Sequence, residues 1–169
     1  LTEIPEGTSM LFSNDRFKVK LSYEDEIEAK PEIELTVDEP KFFTNSDYLM
    51  PDIRVDIYDL DDDLLRSFIV EVKYSKFDRL WKDEAITEVA NQLERYRTSI
   101  EYIDPIKSIP SSPVNSIIIT YPQDSFQDSI VSRKSFGRYV FTQLSPEEEG
   151  QDQFGYEQYK EEIGKLINL

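Results

Sequence analysis

The chain has 169 residues, 38% of them hydrophobic and 12% aromatic, which is typical of a single globular domain with a buried core. It has no cysteine and no histidine, which excludes disulfides, thiolate or imidazole metal ligands and hydrolase triads built on those residues. The formal net charge of −16 argues against the basic surface with which proteins usually grip nucleic acid.

No apolar run approaches the roughly 20 residues of a membrane span, and no signal peptide opens the chain. We therefore expect a cytoplasmic protein without membrane contact. Because the chain starts at Leu1 rather than at a methionine, we expect it to be a fragment of a longer protein.

The first half of the chain is predicted to consist mainly of strands. Residues 1–15 are polar with little periodicity, and we expect a flexible or linker segment there. Alternating or dense apolar residues predict four strands, over residues 16–28, 32–37, 53–57 and 67–74. Residues 41–50 are expected to be irregular, and the acidic residues 59–63 to form a turn between strands.

The second half mixes helices and strands. Helical periodicity predicts helices over residues 83–103 and 156–169. Apolar runs predict strands over residues 114–121 and 137–144. This order of elements predicts one α/β domain over residues 16–169, with a mixed β-sheet flanked by helices.

Two charged residues interrupt the apolar strand at 67–74. Alternation places Ile69, Glu71 and Lys73 on one face of that strand. Burying Glu71 and Lys73 costs several kcal/mol unless they are paired or bind a metal. Asp52 starts the neighbouring strand, where antiparallel pairing across the acidic turn brings it near Glu71.

Asp52, Glu71 and the Val72 carbonyl form a candidate site for a divalent cation. Because histidine and cysteine are missing, any metal is held by oxygen, which favours Mg²⁺ or Mn²⁺. Such an ion would polarise a phosphate and lower the pKa of a bound water, and Lys73 would orient that water. The alternative is a plain cross-strand ion pair at a sheet edge.

Gln92 and Tyr96 lie one helical turn apart in the first predicted helix. An amide on an apolar stripe needs a partner, and a nearby carboxylate–lysine site would provide one. The alternative is that Gln92 bonds a neighbouring main-chain group and Tyr96 is ordinary core.

These residues together resemble the PD-(D/E)xK nuclease superfamily. The matching residues are Pro51-Asp52, Glu71-Val72-Lys73, and the Gln-x-x-x-Tyr motif at Gln92 and Tyr96. The McrC-like branch of restriction nucleases is similar in three further places: Leu21-Ser22-Tyr23-Glu24, Lys73-Tyr74 and Tyr121-Pro122. The resemblance spans about residues 17–169.

The resemblance implies a restriction-endonuclease-like fold and a Mg²⁺-dependent (or Mn²⁺-dependent) DNA endonuclease in prokaryotic restriction or anti-phage defence. It implies Asp52 and Glu71 as metal ligands and Lys73 beside the attacking water. Gln92 and Tyr96 would orient the site or the target strand. A motor NTPase subunit, or other domains of the same protein, would supply the grip on DNA that the acidic chain lacks.

The chain departs from the family pattern in two places. Relatives usually have Asp-Ala-Lys where this chain has Glu71-Val72-Lys73, and glutamate is an accepted variant. Many members also carry an upstream acidic residue on a first helix. No such helix is predicted here, so Glu24, Glu26 or Glu28 would have to take that place.

Three basic residues follow the candidate strand: Lys76, Arg79 and Lys82. They would contact phosphates, or else form a solvated row of charges. Two alternatives to an endonuclease stay open at this point. One is a RecB-like exonuclease, and the other is a catalytically inactive nuclease-like fold that acts as an acidic protein-interaction module.

Overall fold

The structure, a computed structural model, describes residues 4–31, 37–74, 80, 88–106, 112–121, 131–133, 139–144 and 155–167. Its strands are β1 (Ser9–Ser13), β2 (Lys18–Tyr23), β3 (Ile27–Glu28), β4 (Lys41–Thr44), β5 (Tyr48–Leu49), β6 (Ile53–Tyr58), β7 (Leu64–Val72), β8 (Ile100–Ile103), β9 (Val114–Tyr121), β10 (Val131–Arg133) and β11 (Tyr139–Gln143). The helices with bounds within the described residues are α1 (Glu88–Ser99) and α2 (Tyr156–Ile167).

The main element is a seven-stranded mixed sheet in the order β1-β2-β6-β7-β9-β11-β10. Strands β1, β2, β6 and β7 pair antiparallel, whereas β7, β9 and β11 run parallel to one another. The carboxyl ends of the parallel strands therefore meet at one edge of the sheet, where β6 begins. The other four strands form two small two-stranded sheets, β3-β5 and β4-β8.

The two faces of the sheet pack against different helices. Ile69 and Ile117 share a buried cluster with Leu93 of α1. Phe68 and Val70, which alternate with Ile69 along β7, belong to a second cluster covered by α2. Each fully buried aliphatic or aromatic side chain stabilises the fold by about 1.5–3 kcal/mol relative to its exposure. The predicted mixed α/β architecture is confirmed in this general form.

Four of the strand predictions agree with the structure. β6, β7, β9 and β11 lie where strands were predicted, and α2 is the predicted terminal helix. The acidic turn is also present: Asp59 Oδ1 accepts hydrogen bonds of 2.9 Å from the amides of Asp61 and Asp63. The Asp62 backbone adopts φ +67°, which aspartate tolerates better than most residues.

Two predictions in the middle of the chain are wrong. Residues 41–50 were expected to be irregular but contain β4 and β5. The helix predicted over 83–103 ends at Ser99, and the chain continues as β8. Ile100 fits a helical stripe, yet pairing of β8 with β4 buries it completely. Pairing with a distant strand thus outweighs the helical periodicity of the sequence around Ile100.

The amino-terminal segment also differs from expectation. Residues 9–13, within the segment expected to be flexible, form β1 and pair with β2. The strand predicted over 16–28 is divided into β2 and β3 by residues 24–26, of which Glu24 adopts φ +43°. Residues 32–36 and the first residues of the predicted helix, 83–87, lie outside the described residues. Neither α1 nor α2 is long and apolar enough to cross a membrane.

A buried polar cluster fixes β6 beside the site. The Arg54 guanidinium donates to Asp56 Oδ2 at 3.0 Å and lies 4.1 Å from the centroid of the Phe42 ring. Ser67 Oγ donates to Asp56 Oδ1 at 2.7 Å. Burial raises the pKa of Asp56, although Arg54 and Ser67 act to lower it. Because these side chains hydrogen-bond to one another, they hold the start of β6 in one register against β7.

Candidate active site

Asp52 and Glu71 lie opposite each other at the edge where β6 begins and β7 ends. Ile53 pairs with Val70, so the next position outward brings Asp52 to Glu71. The Asp52 amide donates to Glu71 Oε1 at 3.3 Å, and the Val72 amide donates to Asp52 Oδ2 at 2.7 Å. Each carboxylate therefore accepts a hydrogen bond from the main chain of the other segment, which fixes both side chains.

Lys73 completes this group. Its Nζ lies 2.8 Å from Glu71 Oε2, with the lysine side chain 21% exposed and the glutamate 1% exposed. The lysine is thus less buried than the carboxylate with which it pairs. This ion pair joins residues two apart on one segment, so it differs from the cross-strand pair that was the alternative, and the catalytic role of Lys73 stays a prediction.

The group carries more negative than positive charge. Burial raises the pKa of Glu71 above its ordinary value; the hydrogen bond from Lys73 lowers it, and the charge of Asp52 raises it further. Two carboxylates face one ammonium group here. A cation placed near both carboxylates would relieve the repulsion between them.

Strand β9 is hydrogen-bonded to the end of β7 through Thr120. The Lys73 amide donates to the Thr120 carbonyl at 2.8 Å, and Thr120 Oγ1 donates to the Glu71 carbonyl at 3.3 Å. The sequence did not identify Thr120 as part of the site. The predicted strand that ends at Tyr121 was the available signal, but its parallel pairing with β7 is not visible in a local pattern.

Helix α1 contributes Gln92 and Tyr96. Gln92 Nε2 donates to the Tyr96 hydroxyl at 2.9 Å, and that hydroxyl donates to the Met50 carbonyl at 3.3 Å. Burial, followed by the charge of Glu71, raises the pKa of Tyr96. Gln92 therefore has Tyr96 as its described partner, not the carboxylate–lysine pair that was expected.

Tyr96 links the helix to the segment that carries Asp52. Met50, whose carbonyl accepts the bond, lies just before Pro51-Asp52. Since Tyr96 is 3% exposed, this contact is protected from water. The role of Met50 depends on its main chain, so no side-chain pattern could have revealed it.

The donor set at this edge fits a hard divalent cation. Mg²⁺ is commonly bound through one or two carboxylates together with waters, and Asp52 and Glu71 supply two carboxylates. Within the described parts of the chain, no three acidic residues are grouped closely enough to hold a metal. Val72 joins the group through its amide, and a role for its carbonyl as a ligand stays a prediction.

The upstream acidic candidates differ in position. The Glu24 amide donates to the Asp52 carbonyl at 2.9 Å, so its main chain adjoins the site. Glu26 is exposed, and Glu28 forms an exposed ion pair with Lys41. Lys76, Arg79 and Lys82 lie outside the described residues.

Comparisons of the chain with protein-family models, with curated proteins and with solved structures find no match.

Proposed function

We propose that this chain is a metal-dependent DNA endonuclease domain of the PD-(D/E)xK type, with a restriction-endonuclease-like fold, from a prokaryotic restriction or anti-phage defence system. The observation that supports this most strongly is the convergence of Asp52, Glu71 and Lys73. A carboxylate that is 1% exposed, opposed by a second carboxylate and paired with one lysine, is costly to maintain as a purely structural feature.

In this proposal each side chain has a distinct role. Asp52 and Glu71 hold Mg²⁺ or Mn²⁺, which when bound supplies polarisation of the phosphate and a more acidic water. The Lys73 ammonium group, which pairs with Glu71 on a partly exposed side chain, orients the attacking water and stabilises negative charge on the phosphate oxygens. Tyr96, which accepts a bond from Gln92, holds the Asp52 segment in position through the Met50 carbonyl.

The charge of the chain supports a partner that binds DNA. At −16, the chain is poorly suited to make the many phosphate contacts on which duplex affinity depends. In this proposal a motor NTPase subunit, or another domain of the same protein, delivers the DNA. Tight, salt-sensitive duplex binding by the isolated chain would contradict this part.

The test is cleavage of supercoiled plasmid with Mg²⁺ or Mn²⁺, with the candidate partner present and absent. We expect Asp52→Asn, Glu71→Gln and Lys73→Met each to reduce nicking at least about 100-fold. EDTA should abolish nicking. Asp47→Asn, which alters an exposed carboxylate outside the site, is the matched control and should cut like the wild type.

Metal binding provides an independent measurement. Mn²⁺ soaked into crystals should give anomalous density between Asp52 and Glu71, and Asp52→Asn should remove it. Cleavage of linear but not of closed circular DNA would favour a RecB-like exonuclease. Equal behaviour of wild type and Asp52→Asn in both measurements would overturn the enzyme and leave the acidic protein-interaction module.

A further inference from the structure

We propose that Thr120, on β9, is a positioning residue of the candidate site, which holds the Asp52 carboxylate in place through the peptide group between Glu71 and Val72. Thr120 pairs with Val72 in the parallel register of β7 and β9, and it is 4% exposed. The inference rests on the proposed function, because it gives Thr120 a part in holding the metal ligands. Thr120 acts through its neighbours and does not itself contact substrate.

One peptide group lies between Thr120 and Asp52. The Thr120 hydroxyl donates to the Glu71 carbonyl at 3.3 Å, and the Val72 amide donates to Asp52 Oδ2 at 2.7 Å. That carbonyl and that amide are the two ends of the same peptide. Because a trans peptide is planar, its C=O and N–H point in opposite directions, here toward β9 and toward the start of β6. A rotation of this peptide would therefore disturb both bonds at once.

The next peptide along β7 is held by the main chain of Thr120. The Lys73 amide donates to the Thr120 carbonyl at 2.8 Å. Main-chain groups of successive strand residues point alternately to the two neighbouring strands, so the Val72 amide and carbonyl both point to the side of β7 on which Asp52 lies. Thr120 thus restrains the peptide groups on both sides of Val72.

The hydroxyl of Thr120 strengthens the bond that Asp52 accepts. A donor bonded to a peptide carbonyl polarises that peptide, and its N–H then becomes a better donor. Since Thr120 is almost completely buried, little water competes for the Glu71 carbonyl at this point. The Val72 amide in turn restrains rotation of the Asp52 carboxylate. Removal of the hydroxyl should therefore loosen Asp52, although the two residues are not in direct hydrogen-bond contact.

Thr142 provides a matched comparison on the neighbouring strand. It pairs with Thr120 in the parallel register of β9 and β11, and it is 0% exposed. Its hydroxyl has no hydrogen-bond partner among the described residues. The same threonine-to-valine change at the two positions therefore removes a buried hydroxyl from adjacent strands, but only the change at Thr120 removes a bond to the site.

The first test observes the peptide group in the metal-free chain. In EDTA, the Val72 amide of the ¹⁵N-labelled chain is followed by NMR. Thr120→Val should move its proton resonance upfield and speed its exchange with deuterium at least about threefold, because the peptide is less restrained. Thr120→Ser, which keeps a hydroxyl, should stay close to the wild type. Thr142→Val should leave the Val72 amide unchanged.

The second test measures Mn²⁺ affinity by calorimetry and the rate of plasmid nicking with the candidate partner present. Thr120→Val should weaken Mn²⁺ binding about tenfold, the lower end of the range for groups that orient metal ligands. The rate at saturating DNA should fall as well, with KM for DNA unchanged, because Thr120 does not contact DNA. Thr120→Ser should restore most of both values, and Thr142→Val should match the wild type.

Circular dichroism checks that each variant is folded. Thr120→Ala also lacks the hydroxyl and replaces Thr120→Val in both tests if the valine variant does not fold. A Val72 amide that is unchanged by loss of the hydroxyl would overturn the inference. Equal losses of Mn²⁺ affinity in Thr120→Val and Thr142→Val would overturn it as well, because altered packing would then explain both.

Two further outcomes separate this inference from the proposed function. A changed Val72 amide with unchanged Mn²⁺ affinity and nicking rate would overturn the role of Thr120 at the site, while the proposed function would stand. A wild-type chain that neither binds Mn²⁺ nor nicks DNA would overturn the proposed function. The metal-free NMR measurement would still decide whether Thr120 positions the peptide that holds Asp52.

Discussion

At the scale of single residues, Glu71 is a buried ionisable group of the candidate site whose surroundings act against its charge. Its carboxylate accepts hydrogen bonds from Lys73 and from the Asp52 amide, yet burial keeps its pKa raised. Burial therefore acts against the charge of Glu71, and the bond from Lys73 offsets only part of that effect. A residue held in this way is expected where chemistry, rather than stability, decides its identity.

Glu71→Gln should raise the free energy of unfolding at neutral pH by about 1 kcal/mol, because the neutral amide removes a buried charge beside Asp52. Urea unfolding in the presence of EDTA measures this. Glu28→Gln, which alters an exposed ion pair with Lys41, is the control and should change stability by less than about 0.5 kcal/mol. A clear loss of stability in Glu71→Gln would show that its ion pair with Lys73 outweighs the cost of burial.

At the scale of elements, local patterns predicted the parts of the site that one hairpin builds. Alternation located β6, a dense apolar run located β7, and the acidic turn implied the antiparallel pairing that brings Asp52 to Glu71. The contribution of Thr120 was missed because β9 reaches β7 only after a long connection. The end of α1 was missed because pairing with β4 decides the conformation of Ile100.

The junction between β11 and α2 depends on a glycine. Gly155 adopts φ +78°, and a Cβ there would lie 1.8 Å from the Gln143 carbonyl oxygen. Gly155→Ala should therefore destabilise the protein by about 3 kcal/mol, from backbone strain and the clash.

Gly164→Ala is the control for this change. Gly164 lies inside α2, and a Cβ added there would meet nothing within 4 Å, so alanine should stabilise the helix by about 1 kcal/mol. Thermal unfolding of both variants measures the difference. Equal effects of the two substitutions would contradict the assigned role of Gly155.

At the scale of the whole molecule, buried tyrosines link stability to alkaline pH. Burial, followed by the charge of Asp104, raises the pKa of Tyr102 to about 12. Burial likewise raises the pKa values of Tyr58 and Tyr139. The folded protein thus retains protons that the unfolded chain releases near pH 10.

Stability should therefore fall as the pH rises from about 10 toward 12, because the unfolded state then binds fewer protons than the folded state. The contribution of Tyr102 is fully present below the pKa of the unfolded chain and is lost as the pH approaches the folded value. Tyr102→Phe keeps the ring that packs on Phe42 and should make the fall shallower. Urea unfolding across this pH range measures the slope, and Tyr48→Phe at an exposed ring is the control.

The separation along the chain of the groups that meet at the site has a consequence for synthesis on the ribosome. The bond between the Asp52 amide and Glu71 spans 19 residues, that between Tyr96 and Met50 spans 46, and that between Thr120 and Glu71 spans 49. Closing a short loop loses the least entropy. A nascent chain that has been synthesised as far as Val72 already contains Asp52 and Glu71. Helix α1, which bonds to the Met50 carbonyl, and strand β9, which bonds to the Glu71 carbonyl, are still to be translated.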